Sequence, residues 1–182
     1  MQIVIKKATI KGSLFLSYSF DQIDSDVKNR INTSSDAPIH DDLRNAFKKL
    51  TPHFAYISEE VKDEKLVEKA IKNPEKFLID RDETKDQTFF KFRVYGFEIT
   101  EKDGYEKLSI TGAKQLENHN EITFSIPAVG LGDDKYKYYS ELQDAVEELK
   151  NEVVAYMQGK SAPKAQTEMF DEDDFGDEVE EI

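Results

Sequence analysis

The segment FFKFRVYGFEI, residues 89–99, alternates rings with cations and aliphatic residues in a way that suits recognition chemistry. In an extended strand successive side chains point to opposite faces. Strict alternation therefore sends Phe90, Phe92 and Val94 one way and Phe89, Lys91, Arg93, Tyr95 and Phe97 the other. Two cations set among three rings on one face suit a single nucleic-acid strand. Cations meet phosphates, and rings stack on bases of any identity at about 1–3 kcal/mol per base. Lys107 and Lys114 on the following predicted strand would widen the patch if they share its face. The same residues also suit a strand covered by a helix, with Lys91 and Arg93 snorkelling at its edge, because strands favour aromatic residues in general.

A second segment with chemical potential closes the chain: MFDEDDFGDEVEEI, residues 169–182. From Gln166 onward there are nine acidic residues and no basic one, so of the net charge of −13 the preceding 165 residues carry only a small part, 29 acids against 25 bases. A near-neutral body is free to present a local basic face. A run of like charges is by itself a solvated terminus that aids solubility. Phe170, Phe175 and Ile182, placed among Asp171, Asp173 and Asp174, add the anchors of a segment that docks into a basic, partly apolar pocket on a partner. Before it, KSAPKAQTE has the small and polar composition of a flexible linker. The acidic tip lacks the apolar surface to offset the entropy lost on ordering, so residues 160–182 read as linker and disordered tail.

A flexible linker followed by an acidic tip with apolar anchors resembles the tail of bacterial and bacteriophage single-stranded DNA-binding proteins. The resemblance is confined to residues 160–182. It implies a tip that recruits polymerases, helicases, primases or nucleases and that competes with DNA for the protein's own basic groove. The bacterial pattern ends in a proline and a phenylalanine, whereas this chain ends Glu180-Glu181-Ile182 with its phenylalanines further in. The tail and the aromatic-basic strand would explain each other, because a tethered competitor acts at an effective concentration on the order of millimolar.

Catalytic patterns are sparse. With no cysteine there is no disulfide framework, thiolate zinc site or cysteine nucleophile. His40-Asp41-Asp42 is the one place where histidine adjoins carboxylates, and the ordinary role of acids there is to satisfy a helix N-terminus. Gly130 and Gly132 lack both the lysine and the third glycine of nucleotide-binding loops and read as a turn. Neither a nucleophile elbow nor a zinc-protease helix is found. The expectation is a non-catalytic protein without metal or cofactor.

The elements that would position these segments follow from periodicity. Residues 2–10 and 13–20 alternate around Lys11-Gly12 as a hairpin whose Leu14, Leu16, Tyr18 and Phe20 share a core face. Residues 21–38 lack sustained periodicity and read as a loop. Leu43, Ala46, Phe47 and Leu50 mark one helix, Thr51-Pro52 starts a second carrying Phe54 and Ile57, and DEKLVEKAIK forms a third that stops near Asn73-Pro74. Three strands follow: residues 88–100, a turn at Lys102-Asp103-Gly104, then YEKLSITGAK, and EITFSIPAV after Asn120. A last helix runs from Ser140 to about Gln158, with Ser140 and Gln143 as a capping box, an apolar stripe of Leu142, Ala145, Val146, Leu149, Val153, Tyr156 and Met157, and Gly159 as its stop.

The fold expected is α+β: an antiparallel sheet of about five strands with a helical insertion and a C-terminal amphipathic helix, formed by residues 1–159, for which an open barrel of the oligonucleotide-binding type is one possible form. The function expected is sequence-tolerant binding of single-stranded DNA in phage replication or recombination, with the tail recruiting replication or recombination proteins. No apolar run is long enough for a bilayer and the start does not read as a signal peptide, so the expected location is the cytoplasm, that of the host for a phage protein. Two rivals share the composition: an acidic mimic of DNA that occupies a basic site on a host enzyme, and an assembly subunit that associates through its long final helix.

Overall fold

The computed structural model describes residues 1–82, 84–132 and 135–163. Seven strands form one antiparallel sheet: β1 (Gln2–Lys11), β2 (Phe15–Asp24), β3 (Val27–Ser34), β4 (Phe92–Lys102), β5 (Tyr105–Gln115), β6 (Glu121–Ser125) and the short β7 (Val129–Gly130). Six of them run in the spatial order β3-β2-β1-β4-β5-β6, and β7 pairs with β5. The sheet is open, because β3 and β6 end the order without pairing to each other. Between β3 and β4 the chain makes α1 (Asp41–Lys48), α2 (Thr51–Ile57), α3 (Glu64–Lys72), one π-helical turn (Glu75–Ile79) and one 3-10 turn (Thr88–Lys91). The helix α4 (Tyr139–Met157) follows β7.

Alternation builds the layers. Ile5, Ala8, Leu16, Phe97, Ile99, Leu108 and Ile110 are buried in one cluster with Leu43, Phe47, Leu50 and Phe54 of the first two helices and their flanks, and with Leu142, Val146, Leu149 and Val153 of α4. The opposite sheet face carries Lys7, Thr9, Ser17, Glu98, Ser109, Thr111 and Ser125, none of which is buried. The hairpin, the three helices of the insertion and the three later strands thus lie close to where periodicity puts them. Asp103 and Gly104 both have positive φ, which is the conformation a two-residue hairpin turn requires.

Three expectations are corrected. Residues 21–38 are not a loop: β2 continues to Asp24 and β3 takes Val27–Ser34. β3 is an edge strand exposed over most of its length, so burial does not impose alternation on it. It is tied to β2 by the fully buried Asp21, whose carboxylate accepts from Arg30 Nε at 2.8 Å and pairs with Lys28 Nζ at 3.2 Å. The Arg30 hydrogen bond in particular holds the Asp21 carboxyl below the usual carboxylate range. α4 begins one residue before Ser140, with Tyr138 as its N-cap and no side-chain capping bond, so the expected Ser140–Gln143 box does not form. Leu14, expected on the core face, is 40% exposed at the hairpin turn, whereas Leu16 is buried.

One buried polar group gives the fold a pH dependence. His53 of α2 is 1% exposed, and its Nδ1 lies 2.9 Å from the Tyr136 hydroxyl. Burial pushes its pKa from 6.5 down to about 3. The unfolded chain takes up a proton near pH 6.5 that the folded chain refuses. The His53 contribution is therefore complete above that pH and falls between 6.5 and about 3, at about 1.4 kcal/mol per pH unit. Urea unfolding at about pH 7 and about pH 5 should reveal a loss of roughly 2 kcal/mol from this group. In His53→Asn, which keeps a polar partner for Tyr136, that loss should largely disappear. An unchanged slope would assign it to other groups.

Candidate nucleic-acid interface

β1 and β4 pair over only three residue pairs, Lys7–Glu98, Ala8–Phe97 and Thr9–Gly96. At the same level β4 carries a bulge, a register shift against β5 between Val94 and Gly96 that leaves Tyr95 as the extra residue. A bulge bends its strand and disrupts the ladder locally. Beyond Thr9 and Gly96 no β1–β4 pairing continues, and a cleft of about 450 Å³ lies there.

The cleft has an apolar floor and a cationic rim. Phe47, Leu78, Phe89, Phe92 and Val94 line it and are buried. Arg44 and Lys48 of α1, Arg81 after the π-helical turn and Arg93 of β4 also line it, with Phe90 and Tyr95 half-buried between floor and rim. Arg44 and Lys48 are four residues apart, so α1 presents both on one side. Arg44 donates to the Ser13 carbonyl at 2.6 Å. Arg93 donates to Glu121 at 2.8 Å and sits 5.2 Å from the centre of the Tyr95 ring. Lys48 and Arg81 form no ion pair with a described residue. No carboxylate lines the cleft among the described residues.

The cleft gathers part of the predicted face and scatters the rest. Arg93 and Tyr95 reach it as exposed or half-exposed side chains, and Phe89 reaches it as buried floor. Lys91 is exposed at the end of the 3-10 turn and does not line the cleft. Phe97 is not on that face: it is 2% exposed in the core, 6.2 Å from the Phe47 ring. The bulge at Tyr95 resets the alternation, so Phe97 shares the core side with Phe92 and Val94. Phe89 is likewise not in a strand, since residues 88–91 form the 3-10 turn and β4 starts at Phe92.

Lys107 and Lys114 do not widen the patch. Lys107 pairs with Thr100, far along β5 from the Arg93–Ala113 pair. Lys114 sits opposite Phe92, 6.0 Å from its ring, and forms an ion pair with Glu60. Arg44, Lys48, Arg81 and Phe90 are the cleft residues that alternation along one strand does not reveal. The i,i+4 spacing of Arg44 and Lys48 within the first predicted helix was their one signal in the sequence.

The tail residues Phe170, Asp171, Asp173, Asp174, Phe175 and Ile182 lie outside the described residues. The last described residues are anchored beside the start of α1. Lys160 Nζ lies 2.7 Å from Asp42 and 2.8 Å from Glu152, and Ala162 N donates to the Pro38 carbonyl at 3.0 Å. Asp42 shares α1 with Arg44 and Lys48, and Ile39, next to Pro38, donates at 2.9 Å to the carbonyl of Leu14, the neighbour of the cleft residue Ser13.

His40 caps α1 itself, its Nδ1 accepting from Asp42 N at 3.2 Å, in the role expected of the acids beside it. Among the described residues no group of three or more His, Cys, Asp or Glu is placed to hold a metal ion, and no helix is long and apolar enough to cross a membrane. No protein-family model, curated protein or solved structure matches this chain.

Proposed function

We propose that this protein binds single-stranded DNA without sequence preference and without catalysis, as an accessory of phage replication or recombination whose acidic tail recruits partner proteins. The cleft carries this reading: four cations and two half-buried rings surround an apolar floor that no carboxylate lines among the described residues. Cations that neutralise phosphates supply affinity through counterion release, and rings supply base-tolerant stacking. An open sheet with a cleft at its rim serves this purpose without a barrel of the oligonucleotide-binding type.

The tail has the same chemistry as the ligand, rings with anionic groups. It is therefore proposed as a competitor as well as a recruiter, through Phe170, Phe175 and Ile182. Titrating a labelled oligothymidylate with the full chain and with a chain stopped after Pro163 tests this. The shorter form keeps the Lys160 and Ala162 contacts. Tighter binding by the shortened chain is expected. Equal binding would restrict the tail to recruitment.

The DNA-mimic reading draws on a different observation, the row of Glu141, Asp144 and Glu148 on α4 that lines a shallow groove with Lys49. It requires a body that binds no DNA and a partner with a basic site.

A further inference from the structure

Resting on the strand-binding reading, we propose that the cleft captures a single nucleotide unit, with its base laid against Phe90 and Tyr95 over the apolar floor and its phosphate held at the rim by Lys48 and Arg81. The cleft is bounded at one end by the last β1–β4 pair, Thr9–Gly96, so it forms a pocket at the rim of the sheet and not a groove along it. At about 450 Å³ it falls in the range of roughly 300–1,000 Å³ in which proteins bind small molecules. That space suits one base withdrawn from its neighbours.

Polarity is divided in the way a nucleotide requires. Buried Phe89 lies in the floor, while exposed Lys48 and Arg81 stand at the rim. Those two cations form no ion pair with a described residue, so a phosphate need not displace a carboxylate to reach them. Arg44, on the same helix as Lys48, is held by the Ser13 carbonyl and by an ion pair with Asp41 at 3.8 Å. The lining includes no asparagine, glutamine, aspartate or glutamate among the described residues. Those are the side chains that pair with adenine and cytosine edges. Of the arginines that could pair with a guanine edge, Arg44 is engaged by the Ser13 carbonyl and Arg93 by Glu121, so the unit is held by its ring face and its phosphate. Duplex DNA is excluded because its bases stay stacked, which makes the pocket selective for single strands.

The test uses the full chain, labelled with nitrogen-15 and followed by NMR, with four probes: a short oligothymidylate, thymidine monophosphate, thymidine and inorganic phosphate. The expected result is that the oligonucleotide and the monophosphate shift the same amide signals, those of Lys48, Arg81, Phe90 and Tyr95. Thymidine or phosphate alone should bind at least about tenfold more weakly than the monophosphate, since each lacks one of the two contacts. Lys48→Glu combined with Arg81→Glu should weaken the monophosphate by roughly tenfold or more while the remaining signals keep their positions. If the oligonucleotide shifts signals and the monophosphate shifts none, the strand is tracked over a surface and the one-unit pocket is overturned while strand binding stands. If the monophosphate binds and the oligonucleotide does not, a DNA strand is overturned as the source of the nucleotide. If neither binds, both readings fall together.

Discussion

Reversing Lys48 and Arg81 to glutamate in one chain is expected to weaken binding of a labelled oligothymidylate by about 100-fold or more at about 50 mM salt, since each reversal removes a charge-assisted contact of about 1.5–3 kcal/mol and adds repulsion. Both side chains are exposed and form no ion pair with a described residue, so the fold loses little when they change. Lys102→Glu and Lys107→Glu are the controls, as both stand at the far end of the β4–β5 hairpin and neither lines the cleft. They should alter affinity by less than about threefold, the small effect of a distant charge screened by salt. Equilibrium anisotropy on the four proteins, with circular dichroism to confirm folding, provides the comparison. Equal losses in the double variant and the controls would mean that the strand responds to overall charge and that the cleft has no special part.

Phe54→Ala is expected to have the largest effect on stability, about 3–5 kcal/mol. That is a fall in Tm of about 10 °C for a chain of this size. Phe54 of α2 is fully buried, stacks on Phe124 with ring centres 4.7 Å apart and meets Phe92 edge-on at 6.3 Å. Gly112 of β5 makes room for it, since a Cβ at that position would lie 2.9 Å from Phe54 Cζ and 2.8 Å from the Arg93 carbonyl oxygen. The same contacts support the cleft, because Phe92 is part of its floor and Arg93 part of its rim. Phe54→Ala should therefore loosen nucleotide binding as well as the fold. Thermal unfolding followed by circular dichroism measures the first effect. A loss below about 1 kcal/mol would mean that neighbouring rings refill the space.

Where burial enforces a period, the sequence was readable. The stripe of Leu43, Ala46, Phe47 and Leu50 and the stripe of α4 from Leu142 to Tyr156 face the core as periodicity requires. The turn at Asp103-Gly104 and the stop at Gly159 take the positive φ that their residue types favour. Where burial is absent, the signal failed: β3 has mainly polar residues on both faces and reads as a loop. The bulge at Tyr95 was hidden for a different reason. It depends on how β4 meets β5 across the sheet, and its one mark within residues 89–99 is Gly96, an isolated glycine in a strand pattern that does not by itself fix where alternation resets.

The candidate site was legible only in its local part. Arg93 and Tyr95 belong to it, and both stand in the ring-and-cation segment 89–99. Phe97 faces the core, one register step from the side on which strict alternation puts it. Arg44, Lys48 and Arg81 come from other elements, and their convergence is a property of packing that no single stretch of sequence expresses.

The central claim is that a chain with net charge −13 binds a nucleic-acid strand through a local cationic cleft. Anisotropy of a labelled oligothymidylate, titrated with the full chain at about 50 mM and about 200 mM salt, tests it most directly. Saturable binding that weakens roughly 20-fold between the two conditions is expected if about three phosphates are neutralised. Absence of binding at both salt concentrations, or binding that does not respond to salt, would contradict it.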